Sequence, residues 1–268
     1  SLLPRTPGLS AGEHRNRLNF AQRDQLEHQP RLDENGRLVM PPKRPKPTEP
    51  PAIQAGLTVK AVRYRIWHTK EAEAAYISQL ELQTLLERAM RRAGLPMTFS
   101  QGFHPLPLIS FGRALPVGVE SQAEWFSVTL REMLSPKEVE ARLASHLVQG
   151  MRLQRLEIIP VNDRSLGGIE ESFLLRFAGS DADRRLFMEA WDDFTAMDSL
   201  LFTRETKKGP RTTDIRPFFQ RIEWDEHGTL FFVADWSQAY LSPLTLAKAV
   251  TPWAETHQLK LMKLSQTL

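Results

Sequence analysis

The chain has 268 residues, of which 41% are hydrophobic and 25% are charged, and it contains no cysteine. This balance is typical of a folded globular protein, and it excludes disulfides, cysteine nucleophiles, cysteine-ligated zinc and any iron–sulfur cluster held by this chain. No stretch approaches 18 consecutive apolar residues and no signal peptide is visible, so we expect no membrane span and a cytoplasmic location.

The net charge of +3 is confined to the start of the chain. Residues 1–50 hold nine Lys/Arg and six Asp/Glu, whereas the rest holds 26 of each and is neutral on balance. Bulk charge therefore does not indicate a protein that coats nucleic acid, and any basic binding site must be local.

Residues 1–58 are predicted to form a disordered, basic, proline-rich tail or linker. Nine of the 19 prolines fall within residues 1–51, and the run 41–51 can form neither a helix nor a paired strand, because proline lacks the amide hydrogen and clashes with helical neighbours. A solvated spacer is favoured over a proline-motif ligand. Because the first residue is Ser, we expect the chain to be a piece of a longer protein.

Residues 59–163 are predicted to form a first module. The alternation over 62–66 indicates a half-buried strand. Ser78 and Glu81 have the spacing of a capping box, and the helix that follows ends at Gly94. Further strands at 97–100, 109–111, 125–130 and 152–159, with a helix from Ser135 to about Val148, complete the order β-α-β-β-α-β, which is typical of ferredoxin-like folds.

Residues 164–268 repeat this order as a second module. A strand over 173–177 precedes a helix that Ser180 caps, and Ser242 begins a second helix. Strands are expected at 200–204, 218–224, 229–235 and 259–264, the middle pair joined as a hairpin. The sequence therefore predicts an α+β fold, with two ferredoxin-like modules in tandem after the tail.

Several motifs are distinctive: Ser78-Gln79-Leu80-Glu81 with the helix after it, Ser100-Gln101-Gly102-Phe103-His104-Pro105, the segment 115–121, and Lys207-Lys208-Gly209 with Asp214-Ile215-Arg216-Pro217. Together they resemble the radical-SAM-linked family, a domain of unknown function found beside, or fused C-terminal to, cobalamin-binding radical SAM proteins. The resemblance covers about residues 59–268. It implies a radical SAM partner in cis or in trans, which would hold the iron–sulfur cluster, S-adenosylmethionine and cobalamin. These cofactors would lie in the partner or in a missing N-terminal half, and none would lie in this chain.

The chain departs from that family at one motif. Many members have Ser-His-Leu-Asp where this chain has Ser78-Gln79-Leu80-Glu81. No role of that histidine, including metal binding, carries over, whereas the helix-capping role of Ser78 and Glu81 survives the change.

The first candidate site is the loop 100–105, which we name the recognition loop. Gly102 allows backbone conformations closed to other residues, Phe103 offers a flat face to a base, and His104 can exchange a proton near neutral pH. Gln101 belongs to the same loop, and Arg113 follows closely enough to meet a phosphate. The alternative is a stiff structural loop in which Phe103 fills the core.

The second candidate is the segment 204–216, with five cations against two carboxylates. Its glycine and proline at 209–210 indicate a mobile loop or a hairpin tip suited to phosphate contact. The alternatives are a solvated hairpin that guards a sheet edge and an internal pair between Asp214 and Arg216. The cations proposed to contact nucleic acid are Lys207, Lys208, Arg211 and Arg216, with Arg204 beside them.

Other positions give weaker signals. Arg88, Arg91 and Arg92 lie in the last turns of the first helix, where cations favour the helix dipole more readily than they mark an RNA contact. The seven histidines have no metal-ligand spacing, and no phosphate loop or nucleophile elbow occurs. Trp125 follows the strand alternation next to Phe126 and is a candidate to face away from the core.

Three functions remain open on this basis. The favoured one is a non-catalytic recognition domain that binds RNA or a ribonucleoprotein, such as a ribosomal component, for a radical SAM partner. The second is a metal-independent RNA-acting enzyme with His104 as acid/base. The third is a protein-interaction module that docks the radical SAM half.

Overall fold

A computed structural model describes residues 31–39, 55–163, 168–207 and 209–267. The chain divides into two units, residues 1–50 and 51–268. Most of the predicted tail, including the proline run at 41–51, lies outside the described residues, and so does Lys208. No helix within the described ranges is both long enough and apolar enough to cross a membrane.

The described part of the first unit is a short hairpin rather than an extended tail. Strand β1 (Arg31–Leu32) pairs antiparallel with β2 (Leu38–Val39). The carboxylate of Asp33 accepts backbone N–H groups of Asn35 and Arg37 at 2.9 and 2.8 Å, as expected of an Asx turn. This segment of the predicted disordered tail therefore has local structure.

The described part of the second unit contains ten further strands and four α-helices. The strands are β3 (Val62–Lys70), β4 (Ile109–Phe111), β5 (Glu120–Leu130), β6 (Leu153–Ile159), β7 (Glu170–Phe177), β8 (Leu201–Thr206), β9 (Gly209–Asp214), β10 (Phe219–Trp224), β11 (Leu230–Asp235) and β12 (Leu259–Gln266). The helices are α1 (Gln79–Arg92), α2 (Pro136–Ala144), α3 (Asp181–Ala196) and α4 (Pro243–Val250).

Eight of these strands form one sheet in which two ferredoxin-like modules are recognisable. The first has the strand order β6-β3-β5-β4 and the second has the order β10-β11-β7-β12, with every pair inside a module antiparallel. These are the split βαβ orders predicted from the sequence. The modules are joined because β12 pairs in parallel with the beginning of β5, where Lys263 is opposite Ser121.

Each pair of helices covers one face of its own four strands. In the first module, α1 and α2 pack against alternate residues of β3 and β5, such as Tyr64, Ile66 and Phe126, which are fully buried. In the second, α3 and α4 pack against Phe173 and its neighbours in a core rich in aromatic rings. The face opposite the helices of the first module therefore has to be covered by its own side chains or left to solvent.

Local capping begins all four helices where the sequence predicts. The Ser78 hydroxyl accepts the Glu81 N–H at 3.4 Å and the Glu81 carboxylate accepts the Ser78 N–H at 2.9 Å, and Gly94 follows the helix with φ +63°. Hydrogen bonds from the Ser78 side chain and from its backbone N–H lower the pKa of the Glu81 carboxyl. The hydroxyls of Ser135, Ser180 and Ser242 cap α2, α3 and α4 in the same way.

Several predicted strands differ in extent or partner. The expected strand over 200–204 is longer (β8) and lies outside the main sheet, because it pairs with β9 in a hairpin of its own, so β10 is the second strand of that module. The sequence predicts a mobile loop or a hairpin tip at 209–210, and the segment 209–214 forms the second strand of this hairpin. In the first module, 97–100 forms only isolated bridges, and β4 supplies the second strand. Helix α2 ends at Ala144, before the predicted Val148.

Candidate nucleic-acid interface

The recognition loop, residues 100–105, lies at the surface. Gln101, Phe103 and His104 are exposed, Phe103 to 44%, so Phe103 does not fill the core. Gly102 has φ +145°, a conformation that favours glycine. The His104 ring makes no hydrogen bond to any described residue, so nothing in that part of the chain orients it for proton transfer.

Arg113 does not join the recognition loop but links the two modules. Its guanidinium donates to the carbonyl of Gly168 at 2.8 Å and lies over the ring of Tyr240, 5.1 Å from its centroid. Gly168 precedes strand β7 and Tyr240 precedes helix α4, so both partners belong to the second module. Arg113 therefore connects the two modules, and its predicted phosphate contact stays a prediction.

Arg216 is likewise engaged in the fold. Its guanidinium donates to the carbonyls of Met197 and Phe219 at 3.2 and 3.1 Å, and it lies over the ring of Phe194. Its backbone N–H, not its side chain, donates to the carboxylate of Asp214 at 3.1 Å. Arg216 is thus an anchor between helix α3 and the start of β10 and not a free phosphate contact.

The same carboxylate also accepts the backbone N–H of Leu200 at 2.9 Å. Burial alone would raise the pKa of Asp214, but the hydrogen bonds from Leu200 and Arg216 outweigh it and lower the pKa. Asp214 therefore fixes both ends of the segment that carries β8 and β9.

Strands β8 and β9 form a hairpin that we name the basic hairpin. Arg204 is directly opposite Arg211 across the two strands, and Lys207 lies at the turn. All three side chains are exposed, and none makes a hydrogen bond or ion pair with a described residue. Since like charges directly opposite each other destabilise a strand pair, the arrangement is one that an anion would stabilise.

Two of the three arginines of α1 already have partners within the protein. Arg91 pairs with Glu87 at 2.7 Å and lies over the ring of Phe99, and Arg92 donates to the carbonyl of His146 at 3.4 Å. These contacts fit the structural interpretation of the helix C-terminus.

The face of the first module opposite its described helices carries a set of residues of which the sequence pattern indicates only Trp125. Across β3, β5 and β6, Trp67 is opposite both Trp125 and Arg155, and Arg65 is opposite Glu157. We name this surface the arginine–tryptophan face; it consists of Arg63, Arg65, Trp67, Trp125 and Arg155. Trp125 does face away from the helices, but it is only 2% exposed.

Arginines lie over both tryptophan rings of this face. The Arg65 guanidinium is 4.8 Å from the centroid of Trp125, and that of Arg155 is 4.7 Å from the centroid of Trp67. Such cation–π contacts gain strength when the cation is desolvated. The indole N–H of Trp67 donates to the carboxylate of Glu157 at 3.2 Å.

The carboxylates beside this face do not balance its cations. Arg65 forms an ion pair with Asp163 at 2.8 Å, and Arg63 donates to Ser110, Ser127 and backbone carbonyls. Two signals lie in the sequence. The alternation of Arg63 and Arg65 with Tyr64 predicts that the arginines share a face, and the position of Trp125 next to Phe126 makes it a candidate to face away from the core. The sequence pattern does not indicate whether helices pack on this face.

A second unforeseen feature is a group of charged side chains buried where the modules join. Lys263 of β12 forms ion pairs with Glu124 of β5 and, at 3.6 Å, with Glu171 of β7. His68 and Lys70 of β3 are opposite Glu124 and Ser121. We name His68, Lys70, Glu124, Glu171 and Lys263 the junction cluster; each is at most 7% exposed.

Neutral groups complete the junction cluster. The Glu171 carboxylate accepts the indole N–H of Trp236 at 2.9 Å, and the Ser121 hydroxyl donates to Glu124 at 3.1 Å. Lys70 donates to the Ala75 carbonyl at 3.2 Å, and burial lowers its pKa. The cluster is sealed from solvent, so its role is to bind the modules to each other rather than to meet a substrate.

The ring of His68 makes the stability of the fold depend on pH. Burial lowers the pKa of His68, whereas the unfolded chain titrates near about 6.5. Below that pH the unfolded state binds a proton at the His68 ring, whereas the folded state keeps the ring neutral. Stability is therefore full above about pH 6.5 and falls below it, by at most about 1.4 kcal/mol per pH unit for one proton.

The variant His68→Gln tests this dependence. Its free energy of unfolding, measured by urea titration between pH 5 and 8, should change less with pH than that of the unchanged protein, since the remaining carboxylates titrate in both. The exposed His257 provides a control, because His257→Gln should keep the original slope. Equal slopes for all three proteins would show that His68 does not carry the effect.

The described residues contain no group of three or more His, Asp or Glu side chains that could hold a metal ion. The chain also contains no cysteine, so it offers no thiolate ligand to a soft metal or an iron–sulfur cluster.

Comparisons with known proteins give the chain a family but no activity. No curated protein matches it. Among solved structures, the small subunit of acetolactate synthase from Thermotoga maritima is similar over 75% of this chain and 92% of that chain, at 9% identity and a TM-score of 0.21. A family described as "Uncharacterized protein conserved in bacteria (DUF2344)" matches residues 63–246. Because this match covers more than half of the chain and extends from the first module into the second, the protein belongs to the DUF2344 family.

Proposed function

We propose that this chain is a recognition domain that binds RNA, or an RNA–protein substrate, through the basic hairpin. The observation that carries the proposal is that Arg204, Lys207 and Arg211 are exposed together on two paired strands and have no partner among the described residues. Uncommitted cations on a rigid hairpin suit contact with phosphates, which needs positive charge and no reading of bases.

The rest of the fold supports a binding role. The neutral balance of the residues after position 50 means that the hairpin charge is not shared with the whole surface, so an RNA would be directed to one side of the protein. The exposed ring of Phe103 offers a further stacking surface in the first module. Paired ferredoxin-like modules give RNA a long platform, although fold alone is a weak argument for function.

We further propose that the domain serves a radical SAM protein, in cis or in trans, in the cytoplasm. This rests on the motifs that resemble the radical-SAM-linked family, among them Ser100–Pro105 and Asp214–Pro217. In this arrangement the partner binds the iron–sulfur cluster, S-adenosylmethionine and cobalamin, and this chain positions the substrate.

The enzymatic alternative lacks a favouring observation. His104 is exposed and no described residue orients it, whereas general acid–base catalysis needs a side chain held within hydrogen-bond reach of its proton partner. A docking role toward the radical SAM partner is compatible with RNA binding and becomes the first explanation if the experiment below finds no RNA.

The proposal predicts that RNA binding depends on salt and on the basic hairpin. Neutralising about four phosphates of single-stranded RNA gives a slope near about −3 in a plot of log affinity against log salt concentration. The triple variant Arg204→Ala, Lys207→Ala, Arg211→Ala should bind more weakly and flatten the slope by about 2, since it removes three phosphate contacts. Fluorescence anisotropy with a labelled single-stranded RNA measures both.

A charge-matched control uses exposed cations elsewhere. Lys137→Ala, Arg185→Ala, Lys260→Ala removes the same charge from residues that are exposed on other elements, and it should leave the slope unchanged. If both triple variants weaken binding equally, the effect is one of net charge and the hairpin is not the site. If the unchanged protein binds no RNA at low salt, the proposed function is wrong.

A further inference from the structure

We propose that the arginine–tryptophan face is a second nucleic-acid site that takes an unpaired base of a single-stranded RNA, with Trp67 as the stacking surface. This second site rests on the proposed function, because its ligand is again RNA. It adds the class of RNA, because stacking on a protein side chain requires bases that are not already stacked in a duplex.

The first observation is the chemistry of the face. It places two indole rings side by side on the side of a ferredoxin-like sheet that carries none of the described helices, with three arginines around them. Sheet faces of this kind bind single strands when aromatic rings stack bases and arginines meet the backbone. Lys60, exposed at the entry to β3, adds a fourth cation against the carboxylates of Glu157 and Asp163.

The second observation is a pair of buried donors without acceptors. The Nε–H of Arg65 and the indole N–H of Trp125 are inaccessible to solvent and find no hydrogen-bond partner among the described residues. A buried donor left unpaired costs free energy, about 1–3 kcal/mol for a neutral group. Both orphan atoms are donors, so the group that would satisfy them is an acceptor such as a phosphate or base oxygen.

The third observation is a cavity beside another arginine of the same face. A cavity of about 200 Å³ lies beside Arg63 and is also lined by Lys60, Ser110 and Thr129. Lys60 and the two hydroxyls provide donors for a phosphate group. Arg63 adds positive charge, while its N–H groups bind Ser110, Ser127 and backbone carbonyls. The cavity therefore offers a position for the RNA backbone beside Arg63, which belongs to the arginine–tryptophan face.

Arg155 is the movable part of the site. Its side chain is 60% exposed and reaches the carboxylate of Glu157 only at 3.9 Å, yet it covers the ring of Trp67. A weak, exposed ion pair holds little energy, so a base can displace the guanidinium from the ring while the cation turns to a phosphate. Trp67, only 7% exposed in the free protein, would then be available to the base.

The experiment compares two variants with different signatures, using fluorescein-labelled oligouridine and a duplex RNA of equal length. Trp67→Leu removes stacking, so affinity for oligouridine should fall about 5- to 150-fold with the salt slope unchanged. Arg155→Gln removes a phosphate contact, so it should weaken binding and reduce the slope by about 1. Duplex binding should change little with Trp67→Leu.

Two controls separate this site from loss of folding and from the basic hairpin. Trp253→Leu removes a tryptophan that is 45% exposed in the second module and should leave the affinity unchanged. Oligouridine should quench indole fluorescence in Trp253→Leu but much less in Trp67→Leu. Arg155→Gln changes an exposed side chain, so the inference stays testable if Trp67→Leu fails to fold.

The outcomes are distinguishable. If oligouridine binding depends on the basic hairpin but is unaffected by Trp67→Leu and Arg155→Gln, the second site is wrong and the proposed function stands. If it depends on these two residues and not on the hairpin, the site on the arginine–tryptophan face stands and the hairpin proposal is wrong. Absence of binding in the unchanged protein overturns both.

Discussion

Replacing Lys263 by Met should destabilise the protein by about 3–5 kcal/mol. Lys263 is 1% exposed and is shared by the carboxylates of Glu124 and Glu171, one in each module. Removal of one partner from a buried ion pair leaves an uncompensated buried charge, which is the costly case. Trp236 can still donate to Glu171, but a single neutral hydrogen bond does not replace a cation.

Urea unfolding followed by circular dichroism measures this loss, with two variants to interpret it. Lys260→Met changes an exposed lysine on the same strand and should alter stability by less than about 0.5 kcal/mol. Combining Lys263→Met with Glu124→Gln and Glu171→Gln removes all three charges and should recover much of the loss, because buried ion pairs can be replaced by neutral groups at small cost. An equal effect of Lys263→Met and Lys260→Met would contradict a role for the junction cluster in stability.

Replacing Trp191 by Ala should cost about 3–5 kcal/mol, as removal of a large buried aromatic side chain does elsewhere. Trp191 is fully buried on α3, and its ring centroid lies 5.7 Å from those of Phe194 and Phe219 and 6.1 Å from that of Phe232. It therefore joins the helix to two strands of the second module. The alanine variant leaves a cavity among rings that cannot collapse together, so both transfer energy and packing are lost.

The same urea titration tests Trp191 against a tryptophan of the same module. Trp253→Ala removes a ring that is 45% exposed and contacts Phe177 by its edge, so its cost should be well below that of Trp191→Ala. Trp191→Phe keeps most of the volume and removes an indole N–H that lacks a partner among the described residues, so it should recover more than half of the loss. Similar midpoints for the Trp191 and Trp253 alanine variants would refute the central position of Trp191 in the core.

The candidate surfaces were predictable to different degrees. The basic hairpin could be found because its cations lie close together in the chain, although Arg216, at its end, is used by the fold. Arg113 was assigned to the recognition loop by proximity in sequence, but its partners, Gly168 and Tyr240, lie in segments far along the chain. The arginine–tryptophan face was missed because the side chains that compose it come from three separate strands.

The sequence by itself determined the local elements of this protein. A serine hydroxyl that caps a helix, or a side chain that alternates along a strand, interacts with residues at most a few positions away, so Ser78, Ser135, Ser180 and Ser242 could be identified as helix starts without any knowledge of the fold. The order of these elements then indicated two ferredoxin-like modules.

Only the tertiary structure decided which strands meet. Strand β8 pairs with β9 and not with the sheet, and β12 joins β5 in parallel, although neither strand carries a local mark of its partner. Because strand pairing is chosen by contacts between distant segments, the burial of Lys263 between two glutamates and the position of Trp67 on the face opposite the described helices follow from that choice. For the same reason, Lys263, a residue type that is usually exposed to solvent, is buried between carboxylates of the two modules.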